Sequence, residues 1–297
     1  MAKEMVKGSI VALVTPFNQD GSVNYDKLGE LIEYHVANKT DGIVLLGTTG
    51  ESPTLTFEEE EKMLEYSVKK ADGRIYMIAG SGSNCSRTAI ERSHAYSRTG
   101  VDAILVITPY YNRTNTSGMI KHFEACADAS AVPVIMYNVP GRTGCAISEE
   151  AVAALCKHPN IRAIKEASGN IGYLCKVAKY LSDDFVMYSG NDDMIGPTLS
   201  MGGIGVISVW ANIMPQTSHK LVMDYLNGDV ESARKLQTRY LDLINDLFLE
   251  TNPIPVKAAM NYLGFGVGPC RMPLDEMSAG PKAKLKAEID RLKADIK

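Results

Sequence analysis

The 297-residue chain predicts an α/β fold: a (β/α)8 TIM barrel with a small C-terminal helical domain. Three observations lead there. Eight short apolar runs, each closed by Gly, Pro, Ser, Thr or Asn, alternate with amphipathic helical runs. The apolar runs are nearly continuous instead of alternating with polar residues, as expected of parallel strands covered on both faces. No GxGxxG turn and no P-loop is present, so the usual marks of an open doubly wound sheet are missing.

The first run is "SIVALVTPF". The helix after it carries Leu28, Leu31, Ile32, His35 and Val36 in the i, i+3, i+4, i+7, i+8 stripe of a helix packed on a core. The second run, "GIVLLGTTG", leads to "TFEE". There Thr56 caps a helix, Glu59 completes a capping box, and Met63, Leu64 and Val68 supply the apolar face. Runs three to five are "RIYMIAGSG", "DAILVITPYY" and "PVIMYNVPG". Ser148 with Glu149 and Glu150 starts another helix, because a hydroxyl cap and early acids suit a helix N-terminus. Runs six to eight are "IRAIKEAS", "FVMYSGND" and "GIGVISVW". The last is expected to end near Trp210, with a helix continuing to about Asn227.

Beyond that point only helical patterns occur. Val230, Ala233, Leu236, Tyr240, Ile244 and Leu247 recur at helical spacing. "NPIPVKAAMNYLG" reads as a Pro-started helix closed by Gly264, and "PKAKLKAEIDRLKADIK" as a charged amphipathic helix with a solvated face. The expected division is a barrel over 1–228 and a helical domain over 229–297.

Composition removes several function classes. Hydrophobic content of 45% and charged content of 22% are ordinary for a soluble globular chain. A net charge of -4 offers no basic footprint for nucleic acid. No apolar run reaches about 18 residues, so no membrane partner is expected. The start, "MAKEMVKGSIVALVTPF", lacks an apolar signal region with a cleavage site, which points to the cytoplasm. The six cysteines form no CxxC and read as free thiols of a reducing compartment. The five histidines form no HxH or HExxH, so no catalytic metal is expected.

A (β/α)8 barrel builds its active site at the C-terminal ends of its strands. The polar residues at those ends include Thr48, Thr49 and Glu51, then Tyr110 and Tyr111, then Tyr137, Asn138 and Arg142, then Lys165, Ser189 and Gly190, and Ile207 with Ser208. Lys165 is the sharpest of these. A lysine in an apolar pocket loses its charged form, and its amine then becomes a nucleophile able to make a Schiff base with a carbonyl compound. The competing reading is a lysine that snorkels outward or pairs with Glu166. Tyr137, on the preceding strand, can meet Lys165 at the rim and shuttle protons with a threonine hydroxyl. Thr48 and Thr49, between Gly47 and Gly50, suit one carboxylate, and Arg142 suits a second one bidentately.

Taken in order, "GTTGES", "TPYYNR", "YNVPGRTG", "IKEASG", "YSGND" and "GVISV" resemble the dihydrodipicolinate synthase family, along nearly the whole chain. The resemblance implies a synthase that joins pyruvate to L-aspartate 4-semialdehyde on the route to diaminopimelate and lysine. It implies a homotetramer built as a dimer of dimers, with no cofactor beyond the covalent imine. Within it Lys165 forms the imine, and Tyr137, Thr48 and Tyr111 relay protons, Tyr111 being donated by the neighbouring subunit. Thr49 binds the pyruvate carboxylate, Arg142 binds the semialdehyde carboxylate, and Gly190 and Ile207 turn backbone carbonyls toward the imine. N-acetylneuraminate lyases and keto-deoxy sugar acid aldolases share the lysine and remain the alternative, but they generally lack the arginine at position 142. A pocket that merely binds a small anion is disfavoured by the intact set of Lys165, Tyr137, Thr48 and Tyr111. The family's lysine-effector site maps near Ser52, Pro53, Phe57, Glu60, Asn84, Thr88 and Tyr110. Here Thr88 stands where sensitive members carry a glutamate, so lysine inhibition is expected to be weak or absent.

Overall fold

A computed structural model describes residues 4–296. Eight parallel strands close in sequence order into one barrel: β1 Gly8–Ala12, β2 Gly42–Leu45, β3 Tyr76–Gly80, β4 Ala103–Ile107, β5 Val134–Asn138, β6 Ile161–Glu166, β7 Val186–Ser189 and β8 Gly205–Ser208. Every residue of β1, β2, β5 and β8 is buried. Inside the barrel, Ile10, Val44, Ile78, Leu105, Ile135, Ala163 and Ile207 form one apolar layer. The opposite faces of the strands pack on the surrounding helices in a second, larger core. Two apolar faces per strand explain the continuous apolar runs.

The expected start signals are made by the expected residues. Thr56 accepts from the Glu59 amide while the Glu59 carboxylate accepts from the Thr56 amide, closing the capping box of helix Phe57–Ala71. Ser148 caps helix Glu149–Leu155. Leu28, Leu31, Ile32 and His35 form the buried stripe of helix Tyr25–Ala37, with Val36 half-buried beside them. The helix expected to run to about Asn227 is Pro215–Leu226, with Asn227 as its cap.

Three boundaries differ from expectation. β8 stops at Ser208 because Val209 turns into the helical region, and Trp210–Asn212 make one tight turn. The apolar spacing from Val230 to Leu247 is divided between helices Val230–Arg239 and Leu241–Asp246, with the break at Tyr240. The charged final helix begins earlier than its lysines suggest, as Ala279–Arg291. A short helix, Pro140–Thr143, also follows β5 and carries Arg142 into the rim.

The C-terminal helices are fastened to the barrel by a buried ion pair. Lys257 Nζ, in helix Ile254–Tyr262, donates to Glu51 Oε1 at 2.8 Å, to the Thr15 carbonyl at 3.0 Å and to the Pro269 carbonyl at 2.6 Å. Glu51 Oε2 accepts from the Arg271 amide at 2.8 Å. The two side chains are 2% and 0% exposed, so each charge depends on the other and on these hydrogen bonds.

Candidate active site

At the C-terminal rim, a cavity of about 270 Å³ is lined by Thr48, Thr49, Tyr110, Tyr137, Arg142, Lys165 and Gly190, among others. A larger cavity, of about 590 Å³, lies under the C-terminal helices between Phe17, Lys257, Tyr262 and Lys286. It holds none of the predicted site residues, and the convergence of reactive groups marks the smaller one as the site.

Lys165 and Tyr137 are register partners across β5 and β6. A two-residue side-chain period and adjacent strands place both on the inner face. The Lys165 nitrogen lies 4.3 Å from the centre of the Tyr137 ring. Lys165 is 6% exposed, and burial lowers its pKa to about 7. Asp192 opposes that fall and Arg142 adds to it. Burial raises the Tyr137 phenol, while Arg142 and a hydrogen bond with the Thr48 hydroxyl pull it back. Lysine, phenol and hydroxyl thus stand in sequence from β6 to β5 to the turn after β2.

Glu166 does not pair with Lys165. Its carboxylate accepts from Asn138 Nδ2 at 2.7 Å and from the Ser168 amide at 2.7 Å, on the opposite face of β6. Asn138 in turn accepts from the Ile147 amide at 3.0 Å. The ends of β5 and β6 are therefore cross-linked behind the two residues that face the cavity.

Arg142 makes no ion pair among those found for the described residues, and one guanidinium nitrogen donates to the Asn252 carbonyl at 3.3 Å. Its charge lines the cavity, a placement that suits an anion. The Thr49 hydroxyl is 3% exposed and accepts from Asn252 Nδ2 at 2.9 Å. Gly190 closes one wall. A Cβ there would sit 3.1 Å from Lys165 Cε and 2.5 Å from Ala167 Cβ.

Not every predicted residue meets this cavity within one chain. Ile207 is fully buried in the inner apolar layer, and its neighbour Val209 forms the wall instead. Tyr111 is 88% exposed and held at a positive φ of 66°. Of the effector set, Ser52, Pro53 and Tyr110 border the cavity, whereas Phe57, Asn84 and Thr88 do not. Phe57 stacks on Tyr96 instead, and buried Glu60 is hydrogen-bonded to Tyr96 and Arg92. Asn252 and Asp192 were missed from sequence. Asn252 opens the stretch that reads as a Pro-started helix, and Asp192 closes the "YSGND" motif; neither carries a local signal of its role.

A closed parallel barrel whose rim cavity gathers around one buried lysine defines a barrel enzyme. The chain belongs to the dihydrodipicolinate synthetase family, whose model matches residues 5–292. It is 50% identical to 4-hydroxy-tetrahydrodipicolinate synthase 1 of Clostridium acetobutylicum over 291 residues, covering 98% of this chain and 97% of that one. The crystal structure of dihydrodipicolinate synthase from Aquifex aeolicus superposes with a TM-score of 0.94 at 42% identity, covering 98% and 99% of the two chains. The Acinetobacter baumannii dihydrodipicolinate synthase, solved with pyruvate, gives 0.92 at 37% identity, covering 96% and 98%.

Proposed function

We propose that this chain condenses pyruvate with L-aspartate 4-semialdehyde as a 4-hydroxy-tetrahydrodipicolinate synthase, on the route to diaminopimelate and lysine. The observation that carries the reading is the buried Lys165 amine, brought to about 7 and stacked on Tyr137. A neutral amine attacks the keto carbon of pyruvate, water leaves, and the resulting iminium acidifies the adjacent methyl group. Tyr137 and Thr48 carry the protons in and out. The enamine carbon then attacks the semialdehyde, whose carboxylate Arg142 holds. Cyclisation releases Lys165. The chemistry runs on the covalent imine, without metal or nucleotide.

Tyr111 completes the relay from a neighbouring subunit in this reading. An outward tyrosine in left-handed backbone serves no packing purpose within its own chain, which supports its being covered by a second copy; a homotetramer made of dimers is the assembly that the family resemblance implies. Weak or absent lysine inhibition also follows. Thr88 cannot grip the effector's ammonium as a glutamate would, a contact worth about 1.5–3 kcal/mol. Half-maximal inhibition by sub-millimolar lysine would contradict this. The reading as a whole is tested by reducing the protein with borohydride in the presence of pyruvate. The adduct should fall on the peptide holding Lys165, and turnover should follow aspartate semialdehyde and not N-acetylneuraminate. An adduct elsewhere, or none, sinks the mechanism.

A further inference from the structure

Gly190, Asn191 and Val209 line the cavity beside Lys165, and Asp192 stands directly behind them, 2% exposed. Its Oδ2 accepts the amides of Val209 and Trp210, both at 2.9 Å. Its main-chain carbonyl accepts from Gln237 Nε2 at 2.8 Å. Its other carboxylate oxygen, Oδ1, is buried and has no close hydrogen-bond partner among the described residues, although the Ser208 hydroxyl stands near enough to hold the carboxyl down. No lysine or arginine forms an ion pair with it among those found for the described residues. If Asp192 served only to tie the end of β8 to the turn after β7, an asparagine would do equally well, since its amide oxygen can accept the same two N–H groups. A carboxylate with one idle oxygen in a dry place is costly unless a positive charge compensates it. Lys165 is the cation it borders: Gly190, two residues before it, approaches so closely that a Cβ there would sit 3.1 Å from Lys165 Cε, and Val209, whose amide it holds, lines the same cavity. Burial raises the Asp192 carboxyl, and the Lys165 charge draws it back down.

We propose that Asp192 is the fixed counter-charge of the nitrogen on Lys165, as ammonium before pyruvate condenses and as iminium afterwards. The inference rests on the reading of Lys165 as the imine-forming residue. In condensation the free amine attacks the keto carbon, the carbon–oxygen double bond gives way to a carbon–nitrogen double bond, one proton is taken up and the oxygen leaves as water. A positive charge then stays on the nitrogen in a closed pocket, where a preoriented carboxylate stabilises it far better than solvent could. The groups facing Lys165 are Tyr137 on β5, Arg142 after β5, Tyr188 in register on β7 and Asp192 after β7. Burial keeps both phenols neutral near pH 7, and the Tyr188 hydroxyl turns away to donate to the Val6 carbonyl. Arg142 and Asp192 are the charges that remain, and they act in opposite directions. Asp192 touches no substrate in this account and is a positioning residue for charge.

The test begins with borohydride trapping on the wild-type enzyme. If no pyruvate adduct forms on Lys165, the reading of the site fails and takes this inference with it. If the adduct forms, imine formation is followed against pH in Asp192→Asn and Asp192→Glu. With the negative charge removed, the Lys165 amine becomes still less basic. The acid limb should move down by about one pH unit, and the pyruvate concentration for half-trapping should rise ~10-fold. Asp192→Glu should bring the limb back toward the wild-type position. A folded Asp192→Asn enzyme with an unmoved limb and unchanged half-trapping overturns the proposal, as does a limb that moves equally in both variants. Should Asp192→Asn fail to fold, Asp192→Ser carries the same comparison.

Discussion

With its pKa near 7, Lys165 keeps roughly half of its amine neutral at pH 7, against about one molecule in 3000 for an ordinary lysine. The same burial that makes the nucleophile burdens the fold. The folded-state value lies below the unfolded one, so between about pH 7 and 10.5 the unfolded chain binds the extra proton. The cost is fully present below the folded value and fades as pH rises toward 10.5. Lys165→Met should therefore abolish turnover and raise the melting temperature at pH 7 by several degrees. Melting curves of both proteins from pH 6 to 10 check this, and the gap should shrink at the alkaline end. Gly190 makes a second prediction at this scale. In Gly190→Ala the new methyl group would press on Ala167, on the Glu166 carbonyl and on the Lys165 side chain. Backbone must move in the cavity wall. Turnover should fall by about 100-fold and stability by about 1–3 kcal/mol, read from steady-state kinetics and denaturant titration. Lys165 was legible in the sequence because a charge inside an apolar run is conspicuous. Asp192 was not, because a buried aspartate and a surface one look alike in a polar turn.

The strands and helices were legible where one local rule decides them. Continuous apolar runs became strands, and "TFEE" became a capping box. The Thr56→Ala variant should lose about 1 kcal/mol in a denaturant titration and keep its turnover, since the cap lies outside the cavity. Boundaries failed where tertiary packing overrides the local signal. Val209 is apolar and continues the pattern of β8, yet its amide is claimed by Asp192 and the chain turns there. Tyr240 fits the helical stripe from Val230 to Leu247, yet its ring packs on Trp210 and the helix breaks at that point. The link between Asn252 and Thr49 spans 203 positions, and no local pattern could announce it.

For the whole molecule, the exposed Tyr111 sets the expectation. Tyr111→Phe should lower turnover by about 100-fold while leaving borohydride trapping of pyruvate on Lys165 intact, because a relay that lost one hydroxyl would still allow the first condensation. Specific activity should also fall on dilution in step with dissociation measured by sedimentation. A stable monomer with full activity would contradict both expectations. The expectation of assembly comes from the family resemblance alone, because a tyrosine in a sequence carries no sign of whether a second copy covers it.

The buried pair of Lys257 and Glu51 has a consequence for exchange between relatives. Glu51 belongs to the same turn as Thr48 and Thr49, whereas Lys257 belongs to the C-terminal helices. A chimaera that took its barrel from one relative and its tail from another would keep the turn after β2 folded only if positions 51 and 257 still supplied opposite charges. One partner alone leaves a bare charge in the interior, worth about 3–5 kcal/mol against the fold. The barrel and the C-terminal helices thus share one electrostatic fastening, and an exchanged tail must bring a cation to position 257 to satisfy Glu51.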